Sequence, residues 1–137
     1  PAPDPGFAIA FQGPAPDSRK AGAFSLLSLS AQRAPRITAT DALPAQVAFS
    51  LEGDAALVTV RSDASSEFGA YVLDLPSQRV DFVALASPPL AAGVMATQRR
   101  AYIAQAHPEG RITFISLDDG AVQTLSAFEL AARILTD

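Results

Sequence analysis

One pattern constrains this chain more than any other: it is written more than once. Sliding the sequence by 45 lays AALVTV (55–60) on RAYIAQ (100–105), with Leu57 on Tyr102 and Val58 on Ile103. A slide of 42 lays VLDLPSQRV (72–80) on FISLDDGAV (114–122), with Leu75 on Leu117 and Val80 on Val122. The change of spacing is absorbed by one polar stretch, 61–69 against 105–110, and loops are where insertions are tolerated. An earlier copy precedes both. LLSLSAQRAPRI (26–37) overlays VLDLPSQRVDFV (72–83) at a shift of 46, placing Leu27 on Leu73, Leu29 on Leu75 and Gln32-Arg33 on Gln78-Arg79. GFAIAFQ (6–12) is then the strand that leads into it.

Each unit reads as β-structure. Apolar residues alternate or come in short runs between Gly, Pro, Asp and Ser clusters, and the runs are rich in β-branched and aromatic residues. The runs predict strands at 6–12, 22–29, 34–39, 46–51, 55–61, 69–75, 79–85, 91–96, 100–105, 111–117, 121–126 and 132–136. SAFELAARI (126–134) is the one place with room for a short helical turn. Glu52-Gly53-Asp54 and Asp118-Asp119-Gly120 supply the Gly and Asp that tolerate positive φ in tight hairpins. Pro76-Ser77-Gln78 stands where Asp118-Asp119-Gly120 stands one copy later. The eleven prolines fall mostly outside the strand runs. Phe7, Phe11, Phe49, Phe82 and Phe114 lie in runs and are expected to fill the space between units.

A repeat of 42 to 46 residues with four strands per unit is the period of a propeller blade. The fold expected is all-β, built of four-stranded antiparallel blades. Residues 6–40 form an incomplete first blade, 45–85 a second and 90–126 a third, with 127–137 a possible closing strand. About three blades is fewer than the roughly four to eight that close a ring. The chain is then a piece of a longer propeller or half of a ring closed by two copies. A compact β-sandwich or barrel is the alternative.

FSLEGDAALVTV (49–60) with YVLDL (71–75), and GRITFISLDDGAVQTL (110–125), resemble the WD40-like and YVTN-type repeats of bacterial β-propellers. The likeness covers most of the chain at the level of the repeat. The Trp-Asp and Gly-His signatures are missing, as is the literal YVTN tetrapeptide, whose nearest counterpart is LVTV at 57–60. The resemblance implies a fold and not an activity. It also implies that 12–21, 61–69 and 105–110 lie on one face with 39–45, 86–90 and 126–131, the face on which propellers commonly bind ligands. A bacterial cell-envelope or secreted location goes with it.

Composition removes several functions. A net charge of −4, with only Arg19-Lys20 and Arg99-Arg100 as adjacent basic pairs, argues against nucleic acid as a partner. There is no Cys, so thiolate metal sites, disulfides and Cys nucleophiles are excluded. The single His107 excludes any site that needs two histidines from one chain. The uncharged stretch Val83 to Gln98 contains Pro88-Pro89 and, even with Phe82 before it, is shorter than the roughly 20 residues of a membrane-spanning helix. The first residue is Pro1 and not Met, as in a processed product or a fragment lacking an upstream leader or domain.

The loops of the expected binding face hold Asp17, Arg19, Lys20, Arg61, Asp63, Glu67, His107 and Glu109. Arg61, Asp63, Glu67, His107 and Glu109 are the candidate ligand-binding set. Asp63-Ser65-Glu67 has the oxygen spacing that opens a Ca²⁺ loop, but Phe68 and Asp74 stand where that loop needs Gly and Glu. No nucleophile elbow, phosphate loop or dinucleotide fingerprint is present. The paired carboxylates at Glu52/Asp54 and Asp118-Asp119 sit in hairpin turns that account for them. No catalytic residue, metal site or cofactor is therefore expected. The expectation is a non-catalytic protein-binding or scaffold module. Its partner is the rest of a propeller, a second copy or another subunit. The alternatives are a propeller enzyme whose catalytic residues lie in a missing or partner half, and a sugar- or small-molecule-binding module.

Overall fold

The computed structural model describes residues 6–12, 19–29, 35–50, 53–62, 65–95 and 98–126. They form eleven strands: β1 (Phe7–Gln12), β2 (Gly22–Ser28), β3 (Arg36–Thr40), β4 (Leu43–Phe49), β5 (Ala55–Ser62), β6 (Glu67–Asp74), β7 (Arg79–Leu85), β8 (Pro89–Met95), β9 (Arg100–Gln105), β10 (Arg111–Ser116) and β11 (Val122–Ser126). No helix occurs among the described residues. The expected helical turn at 126–134 and closing strand at 132–136 fall, beyond Ser126, outside the described residues.

The strands make three separate antiparallel meanders: β1-β2-β3, β4-β5-β6-β7 and β8-β9-β10-β11. This is the blade architecture and not a sandwich of two sheets or a barrel. The second and third sheets have four strands each. Among the described residues the first has three, and β1 is its inner edge.

The sheets stack face to face, which explains the burial of their central strands. β5 reads AALVTVRS, apolar without alternation, because both of its faces are covered. Ala56 and Val58 turn toward the first sheet and join Phe24, Leu26, Leu73 and Leu75 in one core. Leu57 turns the other way and joins Ala70, Ala101, Ile103 and Ile115 in a second. Phe24 meets Tyr71 edge-on across the first seam, with ring centroids 5.3 Å apart.

The inner strands begin earlier than the apolar runs suggest, at Leu43 and Pro89. Each carries a proline near its start, Pro44 and Pro89, 45 positions apart. Both sit beside a register irregularity against the next strand. An inner strand pairs on one side only, so the missing N–H breaks no ladder, and the irregularity absorbs the ring.

The hairpin turns follow their composition. Gly53 and Gly120 have φ of 74° and 75°. Gln78 takes the same left-handed conformation, φ 58°, at the position that Gly120 holds one copy later.

Three of the five phenylalanines depart from the expectation that they fill inter-blade space. Phe7 and Phe49 pack on the first core. Phe11 and Phe82 are 44% and 54% exposed. Phe114 lies beneath the Arg100 guanidinium, 4.7 Å from ring centroid to cation, on the side of its sheet opposite Ile115.

A candidate binding cleft between the first two blades

The connections β1–β2, β5–β6 and β9–β10 lie at one end of the sheets, together with β3–β4 and β7–β8. At that end a cavity of about 310 Å³ opens on the face of the second sheet that looks toward the first, beside the β3–β4 link. Its walls are apolar and aromatic: Val60 from β5, Phe68 and Tyr71 from β6, and Phe82 from β7. Tyr71 and Phe82 are cross-strand partners with ring centroids 4.8 Å apart. Ala42 and Ala84 line it with short side chains. Asp41, Ser66 and Glu67 supply its polar groups.

Gly69 makes the aromatic wall possible. A Cβ on Gly69 would run into the Phe82 ring, which therefore lies over bare backbone. Asp41, in the two-residue link between β3 and β4, accepts a hydrogen bond from Lys20 Nζ at 2.7 Å. The phenol of Tyr71 is held above its usual pKa, first by burial and then by Asp41, with Lys20 opposing.

The same place between the second and third sheets is closed by a polar plug. Gln105 donates to Thr113 Oγ1 at 2.5 Å and accepts from Ser87 Oγ at 3.0 Å. Thr113 and Thr124 share a hydrogen bond of 2.9 Å, and Arg111 donates to Ser87 Oγ at 3.2 Å. Gln105 is the repeat counterpart of Val60, 45 residues on; Thr113 and Thr124 are the counterparts of Tyr71 and Phe82, 42 residues on.

The structure distributes the sequence-derived candidates. Glu67 lines the cleft. Arg61 reaches across the second seam and donates to the Pro89 carbonyl at 3.2 Å, which ties blade two to blade three. His107 serves its own turn: Nδ1 accepts from the Glu109 N–H at 3.2 Å, and its carbonyl accepts from the Gly110 N–H at 2.9 Å. Glu109 is exposed in that same turn. Lys20 stands at the cleft mouth through Asp41, Arg19 is exposed, and Asp17 and Asp63 lie outside the described residues. Among the described residues no three His, Cys, Asp or Glu side chains cluster as a metal site would.

Sequence reasoning missed Asp41, Tyr71 and Phe82 as cleft residues. Gly69 inside a strand was the available signal, since such a glycine marks a close approach.

The hairpins at the opposite end hold a second polar feature. Arg99 donates to Asp118 at 2.9 Å within its own sheet and to Asp54 at 3.3 Å across the second seam. Asp54 also accepts from Ser50 Oγ at 2.7 Å. That hydrogen bond first, and Arg99 after it, hold the Asp54 carboxyl below its usual pKa. These carboxylates thus do more than shape their turns.

No family model matches the sequence. No curated protein matches it either. Solved structures do match. The β-propeller domain of the trilobed protease from Pyrococcus furiosus, described as having an open velcro topology, superposes with TM-score 0.59 at 10% identity. It covers 86% of this chain and 38% of its own. Hydrazine synthase from Kuenenia stuttgartiensis gives 0.58 at 15% identity, covering 87% and 39%. TolB from Acinetobacter baumannii gives 0.51 at 16%, covering 88% and 29%. The chain thus spans about a third of each structure it matches. With the three meanders, these likenesses define the fold as a partial β-propeller of about three blades.

Proposed function

We propose that this chain is a non-catalytic binding or scaffold module of propeller blades whose main partner is protein, met along the inner edge of β1. One observation carries the reading. In the second and third sheets, β5 and β9 each pair with an inner strand; among the described residues β1 pairs only with β2. Phe11 and Val47 flank that edge. Phe11 is paired with Phe24, and Val47 with Val58, so both face the first seam. They are nonetheless 44% and 40% exposed. An edge that no other described strand covers, beside exposed apolar side chains, is a surface that a further strand would cover.

The partner in this reading is the remainder of a larger ring, a second copy or another subunit. The repeats are then of the WD40-like, YVTN-type kind, supported by the pairing of β4, which ends at Phe49, with β5 over Ala56–Val60, and a bacterial envelope or secreted setting accompanies them.

Light scattering combined with amide exchange tests the proposal. The expected result is a mass near twice 14.2 kDa, or a monomer whose β1 amides that do not bond β2 exchange freely until a partner is added. A monomer with those amides already protected would overturn it, because the edge would be covered within the chain.

A further inference from the structure

We infer that the cleft between the first two blades is a binding site for a small organic cation with an apolar body, an alkyl- or arylammonium compound. This goes beyond the scaffold reading and does not depend on it. The size fits, since a space of about 310 Å³ is at the lower end of small-ligand pockets. The chemistry of the walls is the second argument. Phe68, Tyr71 and Phe82 present aromatic rings, whose electron-rich faces attract a cation that is shielded from water. The third is charge. Besides the Tyr71 phenol, the ionisable side chains lining the cleft among the described residues are the carboxylates of Asp41 and Glu67, so the lining favours a cation over an anion.

The chain itself supplies a precedent. Lys20, an alkylammonium, already sits on Asp41 at 2.7 Å. A ligand carrying the same group would meet Asp41 in competition with Lys20, whose charge also reaches Glu67. The last argument is the comparison of seams. The fold does not demand an opening here, because the next seam closes the equivalent place with Gln105, Thr113 and Thr124. Val60, Gly69 and Phe82 hold this one open.

Benzyltrimethylammonium, benzyl alcohol and phenylacetate are the probes, titrated separately into the whole chain and followed by amide chemical shifts. Saturable shifts in Phe68–Val72 and Asp81–Leu85 are expected for the ammonium, with a dissociation constant on the order of 1 mM. Phenylacetate should bind at least about tenfold more weakly, with benzyl alcohol between them. Glu67→Gln should weaken the ammonium about threefold and Lys20→Met should tighten it about threefold, as exposed charges do. Neither change should move benzyl alcohol. Phe82→Ala should weaken the ammonium about fivefold or more. Ala84→Leu narrows the cleft from an exposed position and serves as a blocking variant that keeps the fold; it should abolish the shifts. Equal binding of phenylacetate and the ammonium would overturn the inference. So would shifts outside the cleft, binding unchanged in both Phe82→Ala and Ala84→Leu, or no saturation at tens of millimolar.

Discussion

Between the first and second sheets, Val60, Tyr71 and Phe82 stand around open space. One repeat later, between the second and third sheets, Gln105, Thr113 and Thr124 occupy the same positions and fill that space with hydrogen bonds. Deeper in, the seams converge. Phe24, Leu26 and Val58 close one, and Leu57, Ala101 and Ile103 close the other, all buried. The lesson is a division of labour by depth. The apolar middle of each seam holds the blades together. The end near the β3–β4 and β7–β8 links is free to become a polar lock or a cleft.

The largest test removes the shared part. Phe24→Ala should cost about 4 kcal/mol, and Ile103→Ala about 3, since both leave cavities in packed cores. Urea unfolding measures each; a loss below about 1 kcal/mol at either would break the claim that the two cores are equivalent. Next comes the lock. Gln105→Val copies the first seam into the second and deprives Thr113 and Ser87 of a partner. It should cost about 1–2 kcal/mol in the same assay. A neutral outcome would mean that the plug is filler.

Arg99 sharpens the comparison further, because the ion pair to Asp54 spans the second seam. Its partners are more than a third exposed, so Arg99→Ala should cost only about 0.5–1 kcal/mol. The pH dependence has a definite sign. The Asp54 carboxyl is depressed below 3.8, the value of the free group. Its contribution is therefore complete above about pH 5 and is lost as pH falls through the folded value. Thermal unfolding between pH 5 and pH 2 should show a shallower acid loss in Arg99→Ala than in the parent. The smallest effect is a gain. Gln78→Gly puts in the second blade the residue that Gly120 supplies in the third, and relieving positive φ should add about 0.5 kcal/mol.

The architecture was legible because repeats expose it twice. Leu57 over Tyr102 and Leu75 over Leu117 mark the blade period in the sequence. Gly53 and Gly120 announced their turns. Pro44 and Pro89 were less readable, since a proline in a strand is acceptable only where one edge goes unpaired, and sheet order decides that. Phe82 was misjudged for a related reason. A phenylalanine in a strand reads as core; its exposure depends on Gly69 beneath it, thirteen residues earlier and on the neighbouring strand. The cleft was the least legible part. Glu67 is visible as a loop carboxylate, but Asp41 reads as a turn residue and Tyr71 as a core one. Their meeting is a product of the β3–β4 link passing over the second sheet, which no local pattern encodes. Arg61 and His107 looked like free polar groups and are engaged in holding backbone carbonyls and N–H groups.

Asp54 and Arg99 are the same position of the repeat, 45 residues apart, and they bond to each other. Opposite signs at one repeat position give the array a direction. A recombination event that duplicated the second blade in place would set carboxylate against carboxylate at the new junction. Duplicating the third would set guanidinium against guanidinium. The second and third blades thus carry matching labels for each other, and their order is favoured by chemistry as well as by the chain that strings them together.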